Sequence, residues 1–221
     1  MLKAVILAGG FGSRLLPLTK NIPKPLMKIG EKSVLEHIVD RLEMHGVKEI
    51  IVKVHYLPDK IMTVLGDRVM YYYEPALFDW KETLKRLQPW IENEDFLLIN
   101  GDTMNDLDYT DMIKFHKEDK ITVAMNDWRA VGTWIYPKRY FVDEDLLVVP
   151  YRPKDLNWFD IGTPGRLEAA RKHFEQGSLV FLFRFKIIGS NFPKKNSNLI
   201  FELFARSRRI MAPRSTEVYS S

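Results

Sequence analysis

The sequence predicts an α/β fold with a Rossmann-like, mostly parallel sheet flanked by helices. Two observations lead to this prediction. Residues 2–7 (LKAVIL) form a nearly continuous apolar run, as expected for a parallel strand buried on both faces. Strand-like and helix-like segments then alternate five times, and this alternation favours parallel strands joined by right-handed crossovers.

Each element has its own local signal. After the first strand, further strands are expected at 49–56, 68–74, 95–100 and 121–125, and helices at 33–46, 58–66, 80–90 and 111–118. Ser33 and Glu36 have the spacing of a capping box, and Gly46 is placed to end that helix. Pro58 suits the first turn of a helix that stops at Gly66.

The remainder of the chain changes character twice. Residues 130–160 are strand-like but less regular, and 164–176 are predicted as a helix that Gly177 ends. Beyond Gly177 the chain is apolar and basic. We therefore expect one domain over residues 1–177 and a C-terminal tail of unassigned role over residues 178–221, within a length of 221 residues.

Composition excludes several classes of function. There is no cysteine, so neither disulfides nor thiolate metal sites are available. No run approaches the roughly 20 apolar residues of a membrane span, so a cytoplasmic protein without a membrane partner is expected. The tail carries a net charge of +6, which leaves −2 for residues 1–177 of a chain whose net charge is +4. A nucleic-acid partner is therefore not expected.

A glycine-rich loop (LAGGFGSRLLPLTKNIPKPL, residues 7–26) follows the first strand. A dinucleotide fingerprint would need a third glycine at Leu15, and no lysine follows a glycine as a Walker A loop requires. The loop still suits a polyphosphate, because glycine amides can form an anion-binding nest and Arg14 offers a planar fork of donors. Lys24 lies between Pro23 and Pro25, which predicts an extended backbone rather than a helix.

This loop resembles the N-terminal signature of the sugar-1-phosphate nucleotidyltransferases. That signature is a glycine-rich loop, an arginine, Pro-Leu-Thr and then Pro-Lys-Pro-Leu. The motifs VHY (54–56), NGD (100–102) and WFDIGTPGRL (158–167) match later family motifs in the same order. The resemblance covers roughly residues 1–176 and looks most similar to the mannose-1-phosphate and heptose-1-phosphate guanylyltransferases.

The resemblance implies a reaction and a site. A nucleoside triphosphate and a sugar 1-phosphate would give a nucleotide sugar and pyrophosphate, with Arg14 and Lys24 as catalytic cations and Mg²⁺ as cofactor on Asp102 and Asp160. It further implies a nucleotide-binding set: Leu7, Ala8, Gly9, Gly10, Gly12, Ser13, His55 and Gly101. GTP is favoured over UTP and CTP, and homo-oligomer formation is left open. Asp106, Asp108 and Asp111 are assigned to a solvated acidic turn.

Two departures from the family pattern affect the substrates. The usual Gly-Thr-Ala stretch is absent, and Asp79, Trp80 and Lys81 occupy its place, which leaves the base open. No Glu-Lys-Pro follows residue 125, although that lysine normally meets the sugar phosphate. Gly132 and Lys154 are the predicted sugar-phosphate residues, with Arg129 and Arg152 as alternatives to Lys154.

Two other functions fit these departures. One is a cytidylyltransferase that acts on phosphocholine or another small phosphomonoester. The other is a regulatory protein that binds a nucleotide sugar without turnover. Retention of Arg14, Lys24, Asp102 and Asp160 favours an enzyme over this second alternative.

Overall fold

A seven-stranded sheet organises the part of the chain that the computed structural model describes, which is residues 2–91, 94–143 and 145–187. The strands are β1 (Lys3–Leu7), β2 (Lys28–Ile29), β3 (Lys32–Ser33), β4 (Ile50–Val54), β5 (Met70–Tyr73), β6 (Phe96–Asn100), β7 (Thr103–Asn105), β8 (Ile121–Asn126), β9 (Arg129–Tyr136), β10 (Val148–Tyr151) and β11 (Trp158–Asp160). The helices are α1 (Val34–Met44), α2 (Pro58–Leu65), α3 (Trp80–Ile91), α4 (Tyr109–Phe115) and α5 (Pro164–Ile187).

The large sheet has the strand order β10-β8-β9-β6-β1-β4-β5. The pairings β1–β4, β1–β6, β4–β5 and β8–β10 are parallel. Strand β9 runs antiparallel to β6 and β8, because only two residues connect it to β8 and so short a link permits only a hairpin. The predicted mostly parallel α/β fold is therefore confirmed.

The central strands are apolar on both faces because helices cover both sides of the sheet. Along β1, Ala4 and Ile6 belong to one buried cluster, and Val5 belongs to another. This alternation follows from the two-residue period of a strand. Leu84 and Leu87 of α3 complete the second cluster. The continuous apolar run that predicted a doubly buried strand is thus accounted for.

Helix α1 begins as the sequence predicts. The Ser33 hydroxyl accepts the Glu36 backbone N–H at 3.2 Å, and the Glu36 carboxylate accepts the Ser33 N–H at 2.8 Å. A cap of this kind contributes about 1 kcal/mol to stability. Gly46, at φ 78°, follows the helix in the left-handed conformation that glycine favours.

Helix α5 differs from its prediction. It was expected to end before Gly177, but it continues to Ile187. An interior glycine costs a helix only about 1 kcal/mol relative to alanine, and no proline follows until residue 193, so nothing local stops the helix. The boundary between residues 177 and 178 stays a prediction, and most of the predicted tail (188–221) lies outside the described residues.

A two-stranded ribbon, β7 paired antiparallel with β11, was not predicted. It makes the acidic-turn assignment wrong for Asp106, which is buried. The Asp106 carboxylate accepts the backbone and side-chain N–H groups of Asn157 at 2.9 and 2.8 Å. Asp108 caps α4 by accepting the Asp111 N–H at 2.9 Å. Both carboxylates therefore have structural partners.

Among the described residues, no helix combines the length and the apolar character needed to cross a bilayer.

Candidate active site

An open cavity of about 340 Å³ lies at the carboxyl ends of β1 and β6. This is the edge at which parallel α/β sheets bind ligands, and the volume falls within the usual range of about 300–1,000 Å³ for small-molecule sites. The lining consists of loop, strand-end and turn residues: Leu7, Ala8, Gly10, Gly12, Ser13, Arg14, Lys24, Pro25, Asn100, Asp102 and Gly162. Eight of the predicted site residues therefore meet at one cavity.

Two glycines of the loop differ in the space around them: Gly12 is tightly packed, and Gly10 is not. Gly12 has φ 66°, and a β-carbon there would lie 2.9 Å from a methyl carbon of Thr19. Gly10 differs, because a β-carbon there would meet no atom within 4 Å. Leu15 occupies the place of the missing third glycine and is fully buried, so it holds the loop in the core.

Two hydroxyl groups fix the segment that follows the loop. The Thr19 hydroxyl donates to the Gly12 carbonyl at 2.9 Å. The Tyr56 hydroxyl lies 3.0 Å from the Thr19 carbonyl and 2.9 Å from the Lys20 carbonyl, and it can donate to either. The loop is therefore held both by its own chain and from the end of β4.

Lys24 forms an ion pair with Asp102. The lysine is 8% exposed, and the Asp102 side chain is 33% exposed. The backbone at Lys24 was predicted to be extended. Residues 24–26 instead form a single 3₁₀ turn, in which the Leu26 N–H donates to the Pro23 carbonyl at 2.8 Å. Pro25 is compatible with this turn, because the fixed φ of proline suits a first helical turn.

Arg14 lies beside the turn that carries Asp160. Its terminal nitrogen is 3.2 Å from the position a β-carbon would take on Gly162. The Gly162 N–H donates to the Asp160 carboxylate at 2.7 Å, and Arg166 pairs with the other carboxylate oxygen. Gly162 thus lets a guanidinium group and a carboxylate approach the same point.

The ribbon of β7 and β11 brings the two predicted metal ligands together. Asp160 pairs in register with Thr103, and the Ile161 N–H donates to the Asp102 carbonyl at 3.1 Å. Within the described ranges there is no group of three or more His, Cys, Asp or Glu residues suited to a metal. The contact of Ile161 with Asp102 is between backbones, and of the two aspartates Asp102 lines the cavity and Asp160 does not. Two carboxylates still suit the chemistry of Mg²⁺, which usually takes one or two protein carboxylates together with substrate phosphates and waters.

Two other predicted nucleotide-binding residues have structural roles near the loop. Gly101 donates its N–H to the Leu7 carbonyl at 3.0 Å, and a β-carbon there would lie 2.9 Å from that oxygen. The His55 ring contacts the Glu74 carbonyl through Nδ1 at 2.8 Å and lies edge-on to the exposed Phe11. Gly101, His55 and the predicted Gly9 are not in the cavity lining, so their contact with a nucleotide stays a prediction.

The two predicted sugar-phosphate residues are separated. Gly132, at φ 74°, packs against the side chains of Asn100 and Thr103, which by itself explains a glycine at that position. Lys154 is exposed in the connection from β10 to β11. Neither lines the cavity, and their contact with a sugar phosphate stays a prediction.

Three lining residues were not predicted as site residues: Pro25, Asn100 and Gly162. Asn100 ends β6 next to Gly101, and Gly162 follows Asp160 by two residues. Pro25 and Asn100 are thus next to predicted residues, and Gly162 lies two residues from one, all within recognised motifs. The missing information was the direction in which these backbones turn.

A family model described as nucleotidyl transferase matches residues 3–134, which is more than half of the chain. The match ends before β11 and therefore includes the glycine loop, Lys24 and Asp102 but not Asp160. The resemblance proposed from the motifs is thus confirmed over the region that builds most of the cavity.

Curated relatives extend this match. The D-glycero-alpha-D-manno-heptose 1-phosphate guanylyltransferase of Campylobacter jejuni is 35% identical over 161 residues, which cover 69% of each chain. The UTP–glucose-1-phosphate uridylyltransferase of Synechocystis is 32% identical over 134 residues, which cover 53% of this chain and 34% of that protein. The matched region thus spans about one third of the second relative.

The fold recurs in a solved structure. HddC from Yersinia pseudotuberculosis aligns over 79% of this chain and 100% of its own, with a TM-score of 0.66 and 24% sequence identity. This likeness concerns the fold. Because the curated relatives act on sugar 1-phosphates, they favour a sugar-1-phosphate nucleotidyltransferase over the two alternatives. The chain belongs to the nucleotidyl transferase family.

Proposed function

We propose that this chain transfers a nucleotidyl group from a nucleoside triphosphate to a sugar 1-phosphate, giving a nucleotide sugar and pyrophosphate. The observation that carries the proposal is the meeting of Arg14, Lys24 and Asp102 with the glycine loop at one cavity. The relatives support the substrate class, since those named above act on heptose 1-phosphate and glucose 1-phosphate.

The reaction joins two anions. A sugar-phosphate oxygen forms a bond to the α-phosphorus while the bond from that phosphorus to the bridging oxygen breaks, and the electron pair leaves with pyrophosphate. The attacking oxygen is already anionic, so no strong general base is needed. Positioning and neutralisation of negative charge must therefore supply the catalysis.

The cavity offers donors that meet this demand. Backbone amides of the loop would bind the triphosphate, and Arg14, at the side of the cavity near Gly162, would bind the phosphates that leave. Lys24 would contact the α-phosphate and the incoming phosphate. Its ammonium group has three donors, so it can keep its bond to Asp102 while it binds phosphate oxygens.

Asp102 and Asp160 would hold Mg²⁺. Among the described residues, the second oxygen of Asp102 accepts a 3.2 Å bond from the Thr103 hydroxyl, and its remaining lone pairs can serve a metal. Bound there, the cation would neutralise phosphate charge and contribute several kcal/mol of transition-state stabilisation. The adjacent Arg166 holds the Asp160 carboxylate in place.

The finer assignments belong to the same proposal. GTP is the preferred nucleotide, by similarity to the heptose relative, and UTP is the next candidate. Lys154 would replace the absent Glu-Lys-Pro lysine at the sugar phosphate, with Gly132 beside it. A cytoplasmic location also stays a prediction.

The test is pyrophosphate release with each of four nucleoside triphosphates against a panel of sugar 1-phosphates, with Mg²⁺ present. Release is expected with GTP and at least one sugar 1-phosphate, and no release from any pair would refute the proposal. Asp102→Asn should lower kcat by about 10²-fold or more, because a ligand to the metal and the partner of Lys24 loses its charge. Asp119→Asn is the control, since Asp119 is exposed just before β8, at the opposite edge of the sheet.

A further inference from the structure

A buried ion pair lies beside the cavity but outside its lining. Lys53, near the end of β4, pairs with Glu74, which follows β5. Lys53 is 5% exposed and Glu74 is fully buried. Lysine and glutamate are almost never so buried unless they are paired. The pair interrupts an otherwise apolar strand (IIVKV), and none of the site contacts described above accounts for it.

Glu74 is held in one position. Its carboxylate accepts the hydroxyl hydrogen of Thr83, a buried residue of α3, at 2.6 Å. Its backbone N–H donates to the Val54 carbonyl at 2.9 Å, and its carbonyl contacts the His55 ring. The negative end of the pair is therefore fixed between β4 and α3.

The positive end faces the glycine loop. The Lys53 ammonium lies 2.9 Å from the point that a β-carbon would occupy on Gly9. The Lys53 carbonyl also accepts the Ala8 N–H at 2.9 Å. Lys53 thus contacts the start of the loop through its backbone carbonyl at Ala8 and approaches it again through its side-chain ammonium group at Gly9.

We propose that Lys53 is a positioning residue for the nucleotide, with its cation placed behind the phosphate-binding loop and oriented by Glu74. This inference rests on the proposed function, because it takes the loop to be the triphosphate site. The Lys53–Glu74 dipole has its positive end toward the loop, so it favours an anion bound on the far side of Gly9. In a partly buried site a charge acts with far less screening than in water.

The two ends of the dipole predict different effects on GTP binding. Lys53→Gln removes the cation behind the loop and should weaken GTP binding about tenfold, the scale of one charge acting across a partly buried site. Glu74→Gln removes the opposing charge and should leave GTP binding unchanged or make it tighter. A purely structural pair would instead weaken binding equally in both variants.

The experiment is calorimetry of GTP binding to the full chain, with thermal unfolding as a check of folding. The double variant K53Q/E74Q removes both charges and retains polar groups, and replacing a buried ion pair in full is often tolerated when removing one partner is not. If a single variant fails to fold, the double variant should still bind GTP more weakly than the wild type. Wild-type affinity in K53Q, or in the folded double variant, overturns the inference.

Lys3→Met is the matched control. Lys3 is also a buried lysine, but it lies at the amino end of β1 and donates to the Trp90 carbonyl at 3.1 Å. Its loss should leave GTP affinity unchanged. Binding and turnover separate the two proposals: wild-type protein that binds GTP but releases no pyrophosphate refutes the proposed function alone, and a K53Q variant with wild-type GTP affinity refutes the positioning role alone.

Discussion

Gly10→Ala distinguishes a glycine required by a ligand from a glycine required by the protein. Gly10 is exposed, its φ lies outside the left-handed region, and a β-carbon there would meet no atom within 4 Å. Because Gly10 lines the cavity, we expect the added methyl group to take up space that the triphosphate would occupy. The protein itself therefore tolerates alanine at this position, and only a bound triphosphate would oppose it.

The expected effect on stability is a small gain. Replacing glycine by alanine at an unstrained position stabilises a protein by about 0.4–1 kcal/mol, because the unfolded chain loses freedom. For a chain of this size such a change raises Tm by about 1–4 °C.

The expected effect on activity is a large loss. A methyl group in the path of the phosphates would displace them by roughly 1 Å, and a displacement of that size costs about 10²-fold in rate. Stability and activity should thus change in opposite directions.

The assay is kcat/KM for GTP from pyrophosphate release, with Tm from a thermal scan. Gly165→Ala is the control, because Gly165 in the first turn of α5 also has no atom within 4 Å of its β-carbon position and does not line the cavity. It should gain stability and keep its activity. Wild-type kcat/KM in Gly10→Ala would refute the assignment of the loop to the triphosphate, and a fall in Tm of several degrees would refute the packing argument.

Three further predictions concern the turn at Gly162, the loop and a buried histidine. Gly162→Ala would place a β-carbon 2.6 Å from the Asp160 carboxylate and 3.2 Å from Arg14, so kcat/KM should fall about 10²-fold; a kcat/KM within threefold of wild type would contradict the arrangement. Tyr56→Phe removes the hydroxyl that binds the Thr19 and Lys20 carbonyls, so the free energy of unfolding measured in urea should fall by about 1 kcal/mol and KM for the nucleotide should rise. An unchanged KM would contradict a role of Tyr56 in holding the loop. Burial lowers the pKa of His37 below its usual 6.5, so as the pH falls the imidazole is protonated in the unfolded chain before it is protonated in the folded protein. The stability present above pH 6.5 is therefore lost as the pH falls, by at most about 1.4 kcal/mol per pH unit. His37→Gln should flatten the difference between urea unfolding at pH 7.5 and 5.5, and an equal slope in the variant would contradict this assignment.

Much of the fold could be predicted because its signals are local. The apolar run of β1, the capping box of α1 and the proline and glycine that bound α2 each act through neighbours in the chain. Gly177 misled the prediction for the same reason, since a single glycine weakens a helix without deciding where it ends.

The short ribbon of β7 and β11 could not be predicted. Each strand has three residues, too few for a periodic pattern, and they are more than fifty residues apart in the chain. Asp106 was assigned to a solvated turn because its partner, Asn157, lies just before β11 and is distant in the sequence. The pairing depends on the tertiary structure.

The sequence by itself determined the family and the chemical types at the site: a glycine loop, an arginine, a lysine between prolines and two distant aspartates. These follow from motifs whose spacing is visible in the chain. Only the tertiary structure decided that Lys24 pairs with Asp102, that Gly162 lies against Arg14, and that a buried Lys53 stands behind Gly9. Each of these contacts joins residues from separate parts of the chain. Their proximity results from the order of strands in the sheet and from the β7–β11 ribbon, neither of which a local pattern encodes.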